Sequence, residues 1–123
     1  MALSLEQMLA VPKPETLAVP EWGGEVLVKV LTADEKAAWE KSCQVQKRGP
    51  KGEITIVPND KVNVRASLVA IGLVNEQGQP VLTADQAGKA HAGAIERVFV
   101  KLCALNGIGE KDAAELEGEE KNS

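Results

Sequence analysis

The chain has 123 residues and a formal net charge of −4, and its 44% apolar content is almost entirely aliphatic, with one Phe, two Trp and no Tyr. That length suits one domain with a modest core. The acidic balance argues against a nucleic-acid or anionic-membrane partner, which would need a basic surface, and the shortage of aromatics removes the usual stacking platforms for bases and sugars.

In chain order, "SLEQMLAVPKPETLAV" opens with a short helical pattern in which Leu5, Met8 and Leu9 share a face, and it breaks at Pro12 and Pro14. Residues 1–15 are therefore expected to form a flexible arm. Thr16 to Val19 reads as a strand, Pro20-Glu21-Trp22-Gly23-Gly24 as a turn, and Glu25 to Leu31 as a returning strand with Val26, Val28 and Val30 on one face. The pair is a hairpin whose Gly-Gly step tolerates positive φ.

Thr32-Ala33-Asp34-Glu35 has the form of a capping box, which predicts a helix running through Trp39 towards Gln46 and stopping at the loop "KRGPKG". "EITIVP" is a short apolar alternation that can add a third strand to the hairpin edge until Pro58 ends it. Asn59 or Asp60 can cap a second helix, with Val62, Ala66, Val69 and Leu73 on one face and Val64, Leu68 and Ile71 close by.

Thr83 with Gln86 makes a second capping box, followed by a stretch weakened by Gly88 and Gly93. Ile95, Val98, Phe99, Leu102, Cys103 and Leu105 then follow helical spacing up to the Asn106-Gly107 stop. Residues 110–123 read as an acidic, disordered tail. The expected architecture is α+β: an N-terminal β-hairpin, or three short strands, packed on a small bundle of three to four α-helices within one domain over 16–109. No apolar run approaches the ~18 residues that a membrane span needs.

His91 is the only histidine, so a Cys/His metal cluster or a histidine-based catalytic relay cannot be assembled within the chain, and a structural or solvent-facing role is expected for it. Cys43 and Cys103 are far apart in sequence, without the close spacing of metal-ligand pairs, and are read as reduced, mostly buried thiols. The glycines form no phosphate-binding signature, and neither a catalytic residue, a cofactor nor a metal is assigned. Two features are candidate partner contacts: Trp22 at the glycine turn, since tryptophan often anchors interfaces, and the cations Lys47, Arg48 and Lys51 in an otherwise acidic chain. Trp39, on the helix after the hairpin, is expected in the core.

The stretch "VPEWGGEVLVKVLTADEKAAWE" resembles the opening signature of the tail assembly chaperones of tailed phages: a Pro-x-Trp-Gly-Gly turn, an alternating strand with a basic residue near its end, a Leu-Thr step and a charged helix. The second half, "VRASLVAIGLVNEQGQPVLTADQAGKAHAGAIERVFVKLCALNGIGEKDAAELEGEEKN", is similar to the same family's later helices and acidic tail. The similarity runs from Pro20 to Asn122 with its pieces in the same order, and departs from the family at Leu82, where an aromatic is common.

The resemblance implies a non-enzymatic assembly factor, acting in the host cytoplasm and absent from the mature virion, that binds the tape measure protein, keeps it soluble and helps recruit tail tube protein. The aliphatic helix faces separately lead to the expectation of a homo-oligomer. A structural tail component retained in the virion is the alternative.

Overall fold

A computed structural model gives the fold of residues 2–59 and 61–109. Ser4 starts α1 (Leu5–Leu9) through a capping box with Gln7, but no residue of this helix is buried. After the prolines, β1 (Glu15–Val19) and β2 (Gly24–Val28) pair antiparallel with Leu17 opposite Val26 and Val19 opposite Gly24. The two-residue periodicity puts Leu17, Val19, Val26 and Val28 on one face, and that face packs into the core. A single 3-10 turn, Pro20–Trp22, joins the strands and is closed by Gly23 at φ 69, whose N–H donates to the Pro20 carbonyl. Only Gly23 needs its glycine freedom; Gly24 is already in the strand.

The Thr32–Glu35 capping box forms as expected and starts α2 (Ala33–Ser42). The helix then stops four residues short of Gln46. Cys43 caps it, and β3 (Gln44–Arg48) follows at once, antiparallel to β4 (Ile54–Pro58). Two expectations are thereby corrected: Lys47 and Arg48 lie on a strand rather than in a loop, and "EITIVP" does not extend the N-terminal hairpin. The cause is the turn between them, where the Gly52 N–H donates to the Gly49 carbonyl at 3.0 Å and Gly52 takes φ 85. It brings two segments together with hardly any loop to close, which is entropically easier than reaching a distant sheet edge.

Asn63, not Asn59, caps α3 (Val64–Gly72), its side chain accepting from the Ala66 N–H, so Val62 falls outside the helix. Asn59 instead ties the hairpin root to the end of α2 through the Ser42 and Cys43 carbonyls. Asp60 lies outside the described residues. The strand that does join the first sheet is β5 (Leu73–Val74), which leaves α3 directly and pairs with β2, giving the order β1-β2-β5.

The Thr83–Gln86 capping box begins the single-turn helix α4 (Ala84–Gly88), and His91 caps α5 (Ala92–Leu105). Gly88 and Gly93 therefore do not dilute one helix. The first ends α4 and the second sits in the first turn of α5. At the far end Asn106 and Gly107, with φ 67, stop α5 as expected.

The core lies between the β1-β2-β5 sheet and α2, α3 and α5, with Trp39, Leu68, Leu102, Val19, Val28 and Val98 its largest fully buried side chains. The expected α+β architecture, with its N-terminal hairpin against helices, is the one observed. Two polar devices lock it. Trp39 Nε1 donates to Ser67 Oγ at 3.0 Å and to the Val64 carbonyl at 3.3 Å, joining α2 to α3. Asn106 Oδ1 accepts the Leu31 N–H at 2.7 Å while its Nδ2 donates to the Leu102 carbonyl at 2.9 Å, joining the end of α5 to the segment between β2 and α2. The expectation of a disordered tail over 110–123 falls outside the described residues.

Candidate partner-binding surface

The titratable side chains serve mainly as caps and surface ion pairs. His91 is exposed, and its Nδ1 accepts the N–H groups of Gly93 and Ala94 at 3.0 and 3.3 Å, a capping role that needs no catalytic partner. Cys43 is buried and Cys103 half-buried. Among the described residues no group of three or more His, Cys, Asp or Glu is placed to hold a metal, and no helix is long and apolar enough to cross a membrane.

A groove of about 580 Å³ between the start of α3 and α4 is lined by Ser42, Asn63, Ser67, Asp85 and Lys89 among others. Of its polar side chains, Asn63 caps α3, Ser67 accepts from Trp39, and Asp85 pairs with Lys89. Asn63 and Ser67 thereby serve the fold, one starting α3 and the other joining it to α2.

Among the described residues, three exposed features stand out. The first surrounds Trp22, 37% exposed at the end of the β1–β2 hairpin and outside the core cluster. Beside it in sequence, Glu21 accepts two hydrogen bonds from Arg97 on α5, each 2.9 Å, a bidentate pair that fastens the turn to the helix. The Arg97 hydrogen bond, helped by a backbone N–H, lowers the Glu21 carboxyl from 4.5 to about 2 and raises the Arg97 guanidinium. Because the folded value is the lower one, the pair's contribution is complete above pH 4.5 and is lost as pH falls towards about 2. A Glu21→Gln variant is therefore expected to melt below the parent at neutral pH, with the gap closing as both are taken towards pH 2; a gap independent of pH in thermal melts would contradict the pairing.

The second feature is the β3–β4 hairpin. It collects the sequence-predicted cations Lys47, Arg48 and Lys51 on one unit, whereas Trp22 lies in the turn that joins two strands of the other sheet. It also exposes Ile54 and Ile56, at 59% and 61%. The sequence reading does not single out these two, because it offers their strand to the edge of the N-terminal hairpin; the charge-free run beside a basic segment is the available signal.

The third feature is the N-terminal arm, where Leu3, Leu5, Met8, Leu9 and Val11 are all more than 60% exposed. The shared helical face of Leu5, Met8 and Leu9 is legible in the sequence; that most of it is exposed is not. Compared with known protein families, characterised proteins and solved structures, the chain gives no match in any of the three.

Proposed function

We propose that the chain is a non-enzymatic phage tail assembly chaperone: in the host cytoplasm it binds the tape measure protein, keeps that long helical partner soluble, helps recruit tail tube protein, and leaves before the virion is mature. The observation that carries this reading is the apolar arm. Five large aliphatic side chains in the first eleven residues lie open to water although the domain has a well-filled core of its own. Isolated exposed apolar residues are ordinary, but a contiguous set on one short helix and its flanks is the kind of surface that another chain covers. The resemblance of the turn, strand and helix signatures to tail assembly chaperones supplies the identity of that chain.

The test is co-expression with the cognate tape measure protein. The parent chain is expected to move the tape measure protein into the soluble fraction, and a Leu5→Glu, Leu9→Glu variant to lose that effect by about tenfold or more, since each leucine buried at an interface contributes roughly 1.5–3 kcal/mol. Equal solubility with and without the chain, or high copy number of the chain in purified particles by mass spectrometry, would sink the proposal. The second outcome would favour a structural tail component.

A further inference from the structure

The β3–β4 hairpin carries a second, chemically different surface, and its backbone as well as its side chains are poised to be used. Among the described residues it forms a two-stranded sheet of its own, so each strand has an outer edge. Which backbone groups face outward follows from two hydrogen bonds at its ends: the Asn59 N–H donates to the Cys43 carbonyl and the Gly49 N–H to the Glu53 carbonyl. In an antiparallel ladder hydrogen-bonded pairs recur at every second residue. With the register Val45 opposite Val57 and Lys47 opposite Thr55, these odd-numbered pairs bond across the hairpin, which leaves the N–H and C=O groups of Ile54 and Ile56 pointing away from β3.

The side chains agree with the backbone. Ile54 and Ile56 lie on the same face as their cross-strand neighbours Arg48 and Gln46, and both isoleucines are mostly exposed. Proteins usually protect an open edge with charged side chains on the strand itself. Here β3 has Lys47 and Arg48, while β4 reads Ile-Thr-Ile-Val-Pro with no charge at all. The unit from Gln44 to Pro58 holds three cations against the single carboxylate of Glu53, in a chain of net charge −4.

We propose that the β4 edge is a docking site for an acidic peptide segment with apolar residues at alternate positions, taken up as a third, extended strand. Its backbone pairs with Ile54 and Ile56 and its apolar residues cover the two isoleucine side chains; its carboxylates then project from the opposite face, the one that carries Lys47, while Arg48 and Lys51 add longer-range attraction. Charge also decides against the alternative of two copies pairing through this edge, which would bring two basic hairpins together. This surface is separate from the N-terminal arm, and the proposal stands whether or not the arm binds a tape measure protein.

The probes are two fluorescein-labelled octapeptides, one alternating Glu with Val and the other Lys with Val, titrated into the full chain by anisotropy, with amide chemical shifts recorded in parallel. The Glu-Val peptide is expected to bind at least about tenfold more tightly than the Lys-Val peptide, to weaken as salt is raised, and to shift the amides of Ile54 and Ile56 most. Lys47→Glu with Arg48→Glu should abolish binding with core amides unmoved, because both side chains are exposed. Ile56→Pro removes an outward N–H, which an edge strand tolerates, together with one of the two isoleucine side chains the peptide covers, and should also lower affinity about tenfold or more.

Several results would overturn the proposal: equal binding of both peptides, no binding of either, shifts centred outside residues 44–58, or full affinity in the Ile56→Pro protein. So would peptide-free shifts at Ile54 and Ile56 that change with protein concentration, which would identify a second copy as the occupant. The same shifts on deletion of residues 110–123 would identify the chain's own acidic segment and count equally against it.

Discussion

Replacing Trp39 by alanine is expected to remove about 3–5 kcal/mol of stability, the usual range for deleting a buried aromatic, which is a large share of the ~5–15 kcal/mol that holds a domain of this size folded. Trp39 is 1% exposed and lies where α2 meets α3. Its removal opens a cavity under α2 and also deletes the donor that reaches Ser67 and Val64. Trp39→Phe separates the two effects. It keeps most of the ring volume, and Ser67 Oγ continues to donate to the Val64 carbonyl at 2.9 Å, so no buried acceptor is stranded. The phenylalanine variant should lose only about 1–2 kcal/mol. Urea unfolding followed by far-UV circular dichroism reads both; an alanine variant within 1 kcal/mol of the parent would mean that α2 is not seated on α3 through this ring.

Gly72→Ala should destabilise by about 1–3 kcal/mol, although alanine is the better helix former by roughly 1 kcal/mol. A Cβ at position 72 would stand 2.4 and 2.8 Å from the two methyl carbons of Leu102. Those methyls belong to a fully buried side chain, so they have no solvent to move into and the overlap outweighs the gain in propensity. Trimming Leu102 to alanine costs about 2–5 kcal/mol by itself, but it also vacates the space the new Cβ needs. The double variant should therefore be more stable than the sum of the single losses implies. A four-member urea unfolding cycle tests this: strict additivity would show that residues 72 and 102 do not share that volume.

The parts of the fold that could be read from the sequence are those decided within four residues. Thr32 with Glu35 and Thr83 with Gln86 announce helix starts because both halves of the hydrogen-bonding exchange are on the page. Gly23 and Gly107 announce reversals because only a residue without Cβ enters the left-handed region cheaply. The end of α2 carries no such mark: Cys43 closes it in an ordinary helical conformation, and "QVQKR" alternates without enough apolar residues to declare a strand.

The pairing of strands was harder still. Leu73–Val74 is only two residues long and reaches β2 across more than forty residues, so its membership of the first sheet is settled by the packing of α3 rather than by any local pattern. The same error hid half of the candidate surface. Charge identifies Lys47, Arg48 and Lys51, but offering "EITIVP" to the edge of the N-terminal hairpin separates Ile54 and Ile56 from those cations. Asn59 and Asn63 show how close two local solutions can be: both are good caps, and Asn63 serves α3 because Asn59 is held by the Ser42 carbonyl and by the Lys61 N–H.

The Asn106 clamp ties the order of synthesis to the order of folding. Leu31 waits for an acceptor that lies 75 residues further along the chain, and the helix that supplies it also buries Val98, Phe99 and Leu102 against the sheet made first. A nascent chain on the ribosome can form the β1–β2 hairpin early. It cannot close the core until α5 has emerged, so the domain is completed as a unit and late, and through most of its synthesis the apolar face of that hairpin lacks the cover that Val98, Phe99 and Leu102 supply.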